Sequence, residues 1–157
     1  MSQLHWECRQ FSELSLDQLY ALLQLRAEVF VLEQQCPYQD PDGNDQEALH
    51  VLGLADGQLL AYTRLLPPGI RYDSCSIGRV VTSKAIRGDG TGQQLMEKSI
   101  EYCYKNWGQT PITISAQQYL EKFYNGLGFE TESEPYQEDG IPHIQMRLPP
   151  TSRVTSL

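Results

Sequence analysis

Arg87-Gly88-Asp89-Gly90-Thr91-Gly92 is the stretch of this chain most plainly shaped for a ligand. Glycine has no Cβ, so successive backbone N–H groups can turn inward around a guest. At the start of a helix such a concavity suits phosphate oxygens, because the first N–H groups there lack intrahelical partners and the dipole favours negative charge. Arg87 can add a charge-assisted contact. The bland alternative is a flexible turn, since a lone glycine pattern is a weak signal. Two nucleotide readings fail on spacing. A P-loop needs G-x-x-x-x-G-K-[ST], and Gln93-Gln94 follows Gly92. A dinucleotide turn needs G-x-G-x-x-G tight against its strand, whereas here the order is G-x-G-x-G with residues 83–87 intervening.

Other chemistry is thinly represented. Cys8, Cys36, Cys75 and Cys103 are widely separated and form no C-x-x-C pair, so neither a metal site nor a disulfide framework is expected. The net charge of -8 disfavours nucleic acid as a partner. Carboxylates crowd residues 40–47 and 130–139. They read as solvated rims, or as a field that draws in a cationic amine. With 157 residues, 40% of them hydrophobic, the chain suffices for one domain with its own core. No run approaches the roughly 20 apolar residues of a membrane span. The opening Met1-Ser2-Gln3-Leu4-His5-Trp6-Glu7 lacks the order of a signal peptide, so a cytoplasmic protein without a membrane partner is expected.

The elements that must position the glycine turn follow from periodicity. Residues 5–11 suit an edge strand, and Leu14, Leu19, Leu22, Leu23, Leu25 and Val29 recur at helical spacing to about Glu33, with Ser15 as N-cap. Residues 36–44 are loop-like. Residues 50–55 and 59–66 flank Asp56-Gly57-Gln58 as a tight hairpin. Residues 75–82 form a further strand, residues 84–92 the charged glycine turn, and residues 93–107 an amphipathic helix. A strand at 111–116, a helix at 118–127 and a closing strand at 141–148 complete the pattern. This is a mixed α/β (α+β) domain on one central sheet, spanning 4–148, with 149–157 as a short C-terminal tail.

Two motifs then resemble a known family. Val80-Val81, a spacer, Arg87-x-x-Gly90-x-Gly92 and a helix are similar to the Q/R-x-x-G-x-G/A signature of the GNAT family of N-acetyltransferases. Downstream, Phe123-Tyr124-Asn125-Gly126-Leu127-Gly128-Phe129 resembles that family's F-Y-x-x-x-G-F segment. Residues 25–38, with Leu25-Arg26-x-x-Val29-Phe30, and Glu138-Asp139-Gly140-Ile141-Pro142-His143 resemble the bacterial ElaA branch. The L-R-x-x-V-F segment is also similar to one in acyl-homoserine-lactone synthases, which share the fold.

The resemblance implies a sheet that splays at an acetyl-CoA cleft, often at a bulge, flanked by about four helices. It implies acetyl-CoA as the cofactor and a small-molecule amine or basic peptide as acceptor. Homodimers pairing through late strands are also common in the family. Carried over, Val80 and Val81 would offer backbone groups to the pantetheine arm. Arg87, Gly88, Asp89, Gly90, Thr91 and Gly92 would hold the pyrophosphate. Gln117 and Phe123 would line the other wall, and Arg26, Phe30 and Gln34 would cover the acceptor side, with a buried structural ion pair as the other reading of Arg26. Tyr124 is the expected catalytic donor to the departing sulfur, with Tyr119 a weaker candidate on the same helix. A phenol titrates near 10 and a thiol near 8.5, so full transfer in water is uphill by about 2 kcal/mol. A hydrogen bond that strengthens as charge develops still helps. Some family members carry a basic carboxylate on the strand before the glycine turn; residues 75–81 contain none. Glu33, His143 or a relayed water remain as the base. The competing reading is a non-catalytic acyl-CoA-binding regulatory module.

Overall fold

Ser15 opens the first helix through a reciprocal capping box. Its hydroxyl accepts from Gln18 N at 3.0 Å, and Gln18 Oε1 accepts from Ser15 N at 3.1 Å. The computed structural model describes residues 3–35 and 37–150. It runs β1 (His5–Gln10), α1 (Leu16–Arg26), a π-helical segment (Ala27–Glu33), β2 (Leu49–Ala55), β3 (Gln58–Leu66) and β4 (Cys75–Thr82). Then follow α2 (Thr91–Trp107), β5 (Ile112–Gln117), α3 (Glu121–Gly126), β6 (Glu130–Thr131), β7 (Tyr136–Glu138) and β8 (Ile141–Leu148).

The strands form one sheet in the order β1-β2-β3-β4-β5-β8-β6, with β7 also pairing β8. All neighbours are antiparallel except β4 and β5. Asp56 and Gly57 both take positive φ, 53° and 78°, which gives the two-residue hairpin turn whose twist matches its strands. The α2 side of the sheet buries Leu95, Met96 and Ile100 against Ile77, Ile114 and Ile144. On the other side, Leu22 and Leu25 of α1 pack on Leu52, Tyr62 and Val81.

Two irregularities open the sheet. Tyr62 pairs with Val81 and Arg64 with Gly78, so Arg79 and Val80 together oppose Thr63 in a bulge, with Arg79 at φ 51°. Next, β4 and β5 pair only at Cys75↔Ile112 and Ser76↔Thr113 and then part.

Three boundaries differ from the expectation. The helix expected from 14 to 33 changes at Ala27 to π geometry, with Gln34 N donating to Val29 O at 3.2 Å. The helix expected over 118–127 divides into a 3-10 turn, Gln118–Leu120, and the short α3, leaving three α-helices among the described residues rather than about four. Acidic residues 130–139, expected as a rim, supply β6 and β7. These strands are too short to show alternation, and pairing with β8 holds them. Cys36 and residues 151–157 of the expected tail lie outside the described residues.

Candidate active site

The parted strands β4 and β5 enclose a cleft of about 540 Å³. Val80 and Val81 form one wall, Ala116 and Gln117 the other, and Tyr124 lines it from α3. The bulge turns the main chain of β4 away from Thr63 just where that wall begins. A strand in regular pairing would have spent those backbone groups on its neighbour.

Tyr124 is 5% exposed, and its ring meets Phe123 and Phe129 edge-to-face at 5.1 and 5.9 Å. Burial raises its phenol above the ordinary value, so it stays protonated and acts as a neutral donor. Among the described residues none hydrogen-bonds its hydroxyl. Tyr119, on the preceding turn, is 76% exposed.

The glycine turn carries Gly88 at φ 88° and Gly90 at φ 86°, and a Cβ at either would meet nothing within 4 Å. Its main chain therefore faces open space. Gly90 is the N-cap of α2 and contributes no side chain there. Asp89 accepts from Thr91 N at 3.1 Å and from the Thr91 hydroxyl, while Gln94 N bonds Gly90 O. The N–H groups of Gly92 and Gln93 keep no intrahelical partner. These observations fit a diphosphate held by main chain. Of residues 87–92 and Phe123, Arg87 alone is in the wall of the cleft; the rest flank it. The Phe123 ring sits 3.8 Å from where a Gly92 Cβ would be.

Glu33 and Gln34, at the end of the π-helical segment, reach the other elements of the cleft. Glu33 pairs with Arg87 at 2.8 Å, and Gln117 Nε2 donates to Gln34 Oε1 at 3.4 Å. Arg87 also donates to Thr82 O at 2.9 and 3.1 Å. The Arg87 hydrogen bond holds the Glu33 carboxyl below its usual value. A carboxylate so paired is less available as a proton acceptor, and Glu33 joins the glycine turn to the π-helical segment.

The match to known proteins is extensive. A family model described as an acetyltransferase (GNAT) domain matches residues 14–149. The chain belongs to the GNAT family. Protein ElaA of Escherichia coli (strain K12) is 48% identical over 145 residues, covering 91% of this chain and 95% of that protein. Its crystal structure superposes with a TM-score of 0.86 at 47% identity, covering 92% and 98% of the two chains. An acyl-CoA N-acyltransferase from Pseudomonas aeruginosa gives 0.88 at 50% identity, with the same coverage. The acyl-homoserine-lactone synthase LasI, at 15% identity, a TM-score of 0.77 and coverage of 96% and 92%, shares the fold alone. This GNAT chain lies in the ElaA branch and is an acyltransferase whose donor is a coenzyme A thioester. Among the described residues no helix is long and apolar enough to cross a membrane.

The acceptor side of the GNAT cleft departs most from expectation. Of the two readings of Arg26, a cover for the acceptor side or a buried ion pair, the structure favours the second: the residue is 0% exposed and does not line the cleft. Its guanidinium pairs with Asp40 at 2.7 Å and Asp45 at 2.9 Å. Arg64 joins Asp42 and Asp45 at 2.8 and 3.0 Å, and Arg79 joins Asp40 at 2.8 Å. Burial alone would raise the carboxyls of Asp42 and Asp45, but hydrogen bonds and charge from Arg64 and Arg26 outweigh it and hold both low. So Asp40, Asp42 and Asp45 do not form a free field for a cation. Three guanidinium groups answer Asp40, Asp42 and Asp45 and fix the loop after the π-helical segment. Phe30 does line the cleft, beside Val29 and Tyr38.

The cleft also holds a group the sequence did not single out by role. Glu138 lines the cleft, and its Oε1 accepts from Arg71 at 2.9 Å and from Ser115 at 3.0 Å. Since Ser115 gives its proton to the carboxylate, the Tyr136 hydroxyl donates to Ser115 at 2.6 Å. His143, 7% exposed, places Nδ1 2.8 Å from Ile141 O and Nε2 3.8 Å from Glu138 Oε2. The signal in the sequence was the Glu138–His143 segment that resembles the ElaA branch, with Glu138 at the end of the expected charged rim and His143 in the expected closing strand.

Proposed function

We propose that the protein transfers the acetyl group of acetyl-CoA to a primary amine by direct attack, without a covalent enzyme intermediate. The observation that carries this is the parting of β4 from β5 after Ser76, with the Arg79 bulge on the β3 side of the same strand and both Tyr124 and Arg87 in the cleft wall. Bound there, acetyl-CoA supplies an activated thioester. The main chain at Val80 and Val81 would hold the pantetheine amides. Arg87 and the amides of residues 88–92, that of Thr91 once released from Asp89, would hold the diphosphate, with Gln117 and Phe123 on the facing wall. Phe30 and Gln34 border the acceptor. Tyr124 offers its hydroxyl to the sulfur as negative charge develops, a contact stronger in the transition state than in the ground state. Its raised pKa supports hydrogen-bond donation over outright proton release. A small amine or basic peptide fits a cleft of this size and lining.

The test is thiol release from acetyl-CoA over a panel of amines and basic peptides, with calorimetry of coenzyme A binding alongside. Wild type consumes at least one acceptor; Tyr124→Phe binds the coenzyme as wild type does but turns over about 100-fold slower. Binding without consumption of any acceptor would replace this reading by the regulatory module.

A further inference from the structure

The geometry points to a seat for the acceptor as an ammonium ion, formed by Glu138 Oε2 and His143 Nε2, with this pair taking the amine's proton. The inference rests on the acyl-transfer reading and adds to it the ionic form of the acceptor and Glu138 as a catalytic residue.

The argument is one of donors and acceptors. A carbonyl oxygen has no proton, so the 2.8 Å contact to Ile141 O requires that His143 Nδ1 carry the hydrogen. In the neutral ring Nε2 is then an acceptor. Glu138 Oε1 is satisfied by Arg71 and Ser115, whereas Oε2 has no donor among the described residues. With the ring neutral, two acceptors face each other 3.8 Å apart in the wall of the cleft. That is too long for a hydrogen bond between them and short enough for one nitrogen to donate to both at about 2.8 Å. Unfilled, the arrangement sets two lone pairs against each other. A group with several N–H donors and a positive charge resolves it, which describes a primary ammonium.

The supports hold the seat in place. Tyr136 stacks on the His143 ring at 6.3 Å and 26°, and its hydroxyl secures Ser115, which secures Glu138. Tyr136, Glu138 and, through Glu138, Arg71 are ionisable groups set around the imidazole, and Asp139 lines the same cleft. The paired strands carry the rest of the frame: His143 is the cross-strand partner of Gln117 in β5 and of Tyr136 in β7.

The proton balance follows. R–NH3+ gives one proton to His143 Nε2, and Glu138 stabilises the imidazolium. The neutral nitrogen bonds to the thioester carbonyl carbon as the C–S bond breaks. The second proton leaves that nitrogen and ends on the sulfur, at Tyr124's side. His143 returns the first proton to solvent.

The probe is ethylammonium chloride, titrated into the full chain with and without coenzyme A and followed by ligand-observed NMR. Wild type binds it saturably, and Glu138→Gln weakens it at least about tenfold, with coenzyme A affinity and melting temperature unchanged. Gln keeps an acceptor for Ser115 and Arg71, so the fold is retained. In turnover, Glu138→Gln loses about 100-fold with ethylamine and under about tenfold with trifluoroethylamine, which is largely neutral near pH 7 and needs no base. Equal loss with both amines, or unchanged ethylammonium binding in Glu138→Gln, overturns the seat, as does no binding to wild type. Failure to bind coenzyme A would instead overturn the acyl-transfer reading, while the titration of the free protein still reads the seat.

Discussion

Arg87 and Glu33 meet at 2.8 Å, joining the glycine turn to the end of the π-helical segment. The guanidinium best placed for a diphosphate is thus already answered by a carboxylate, and an incoming anion competes with it. Glu33→Gln removes the competitor. Because the pair is partly exposed it is worth at most about 1 kcal/mol, so coenzyme A binds up to about fivefold tighter. Turnover at saturation stays within about twofold. Calorimetry and steady-state rates check this; a collapse of kcat with binding intact would restore Glu33 as the base.

Gly90 distinguishes strain from charge at the cradle. Gly90→Ala forces a Cβ onto φ 86° and costs about 1–2 kcal/mol of stability. Gly90→Glu adds a negative charge where the α2 dipole favours an anion, and coenzyme A affinity falls at least about tenfold beyond the Ala variant. Melting curves and calorimetry on both variants separate the effects. Equal affinities would remove the diphosphate from this corner.

The Arg26–Asp45 contact sets the acid limit of the fold. Asp42 and Asp45 have folded pKa values below their unfolded ones. Their contribution is therefore complete above the unfolded carboxyl pKa, about 3.9, and is lost as pH falls through the depressed folded values. Denaturant midpoints should drop as pH is lowered below about 4. Asp45→Asn leaves Arg26 and Arg64 short of a counter-charge and costs about 3–5 kcal/mol at neutral pH, with a flatter acid dependence. An unchanged midpoint at pH 7 would show that the pairing contributes nothing.

Gly53 is fixed by a neighbour. A Cβ there would lie 2.7 Å from the Trp6 ring and 3.0 Å from Ala61 Cβ, between β1 and β3. Gly53→Ala should destabilise by about 1–3 kcal/mol, read as a lower melting temperature, without altering coenzyme A binding. A second change, Trp6→Leu, should recover part of the loss.

What could be read from the sequence was whatever is encoded locally. Ser15 followed by Gln18, Asp56-Gly57, and the glycines at 88, 90 and 92 each act within a few residues, and their types imply their geometry. Arg26 behaves otherwise. Its partners Asp40 and Asp45 lie 14 and 19 residues away, so neither its burial nor the fate of the acidic stretch follows from spacing. The same holds for Glu138, whose neighbours Arg71 and Ser115 come from other parts of the chain, 67 and 23 residues distant. The bulge at Arg79 has no local mark either, since arginine is an unusual occupant of positive φ.

The lattice of Arg26, Arg64 and Arg79 with Asp40, Asp42 and Asp45 constrains how this protein can diversify. A single substitution that alters charge at Arg26, Asp40, Asp45 or Arg64 strands a buried ion. New acceptor preferences routed through that loop must therefore arrive as complementary double changes, and the exposed rim around the cleft is where one-step variation is tolerated.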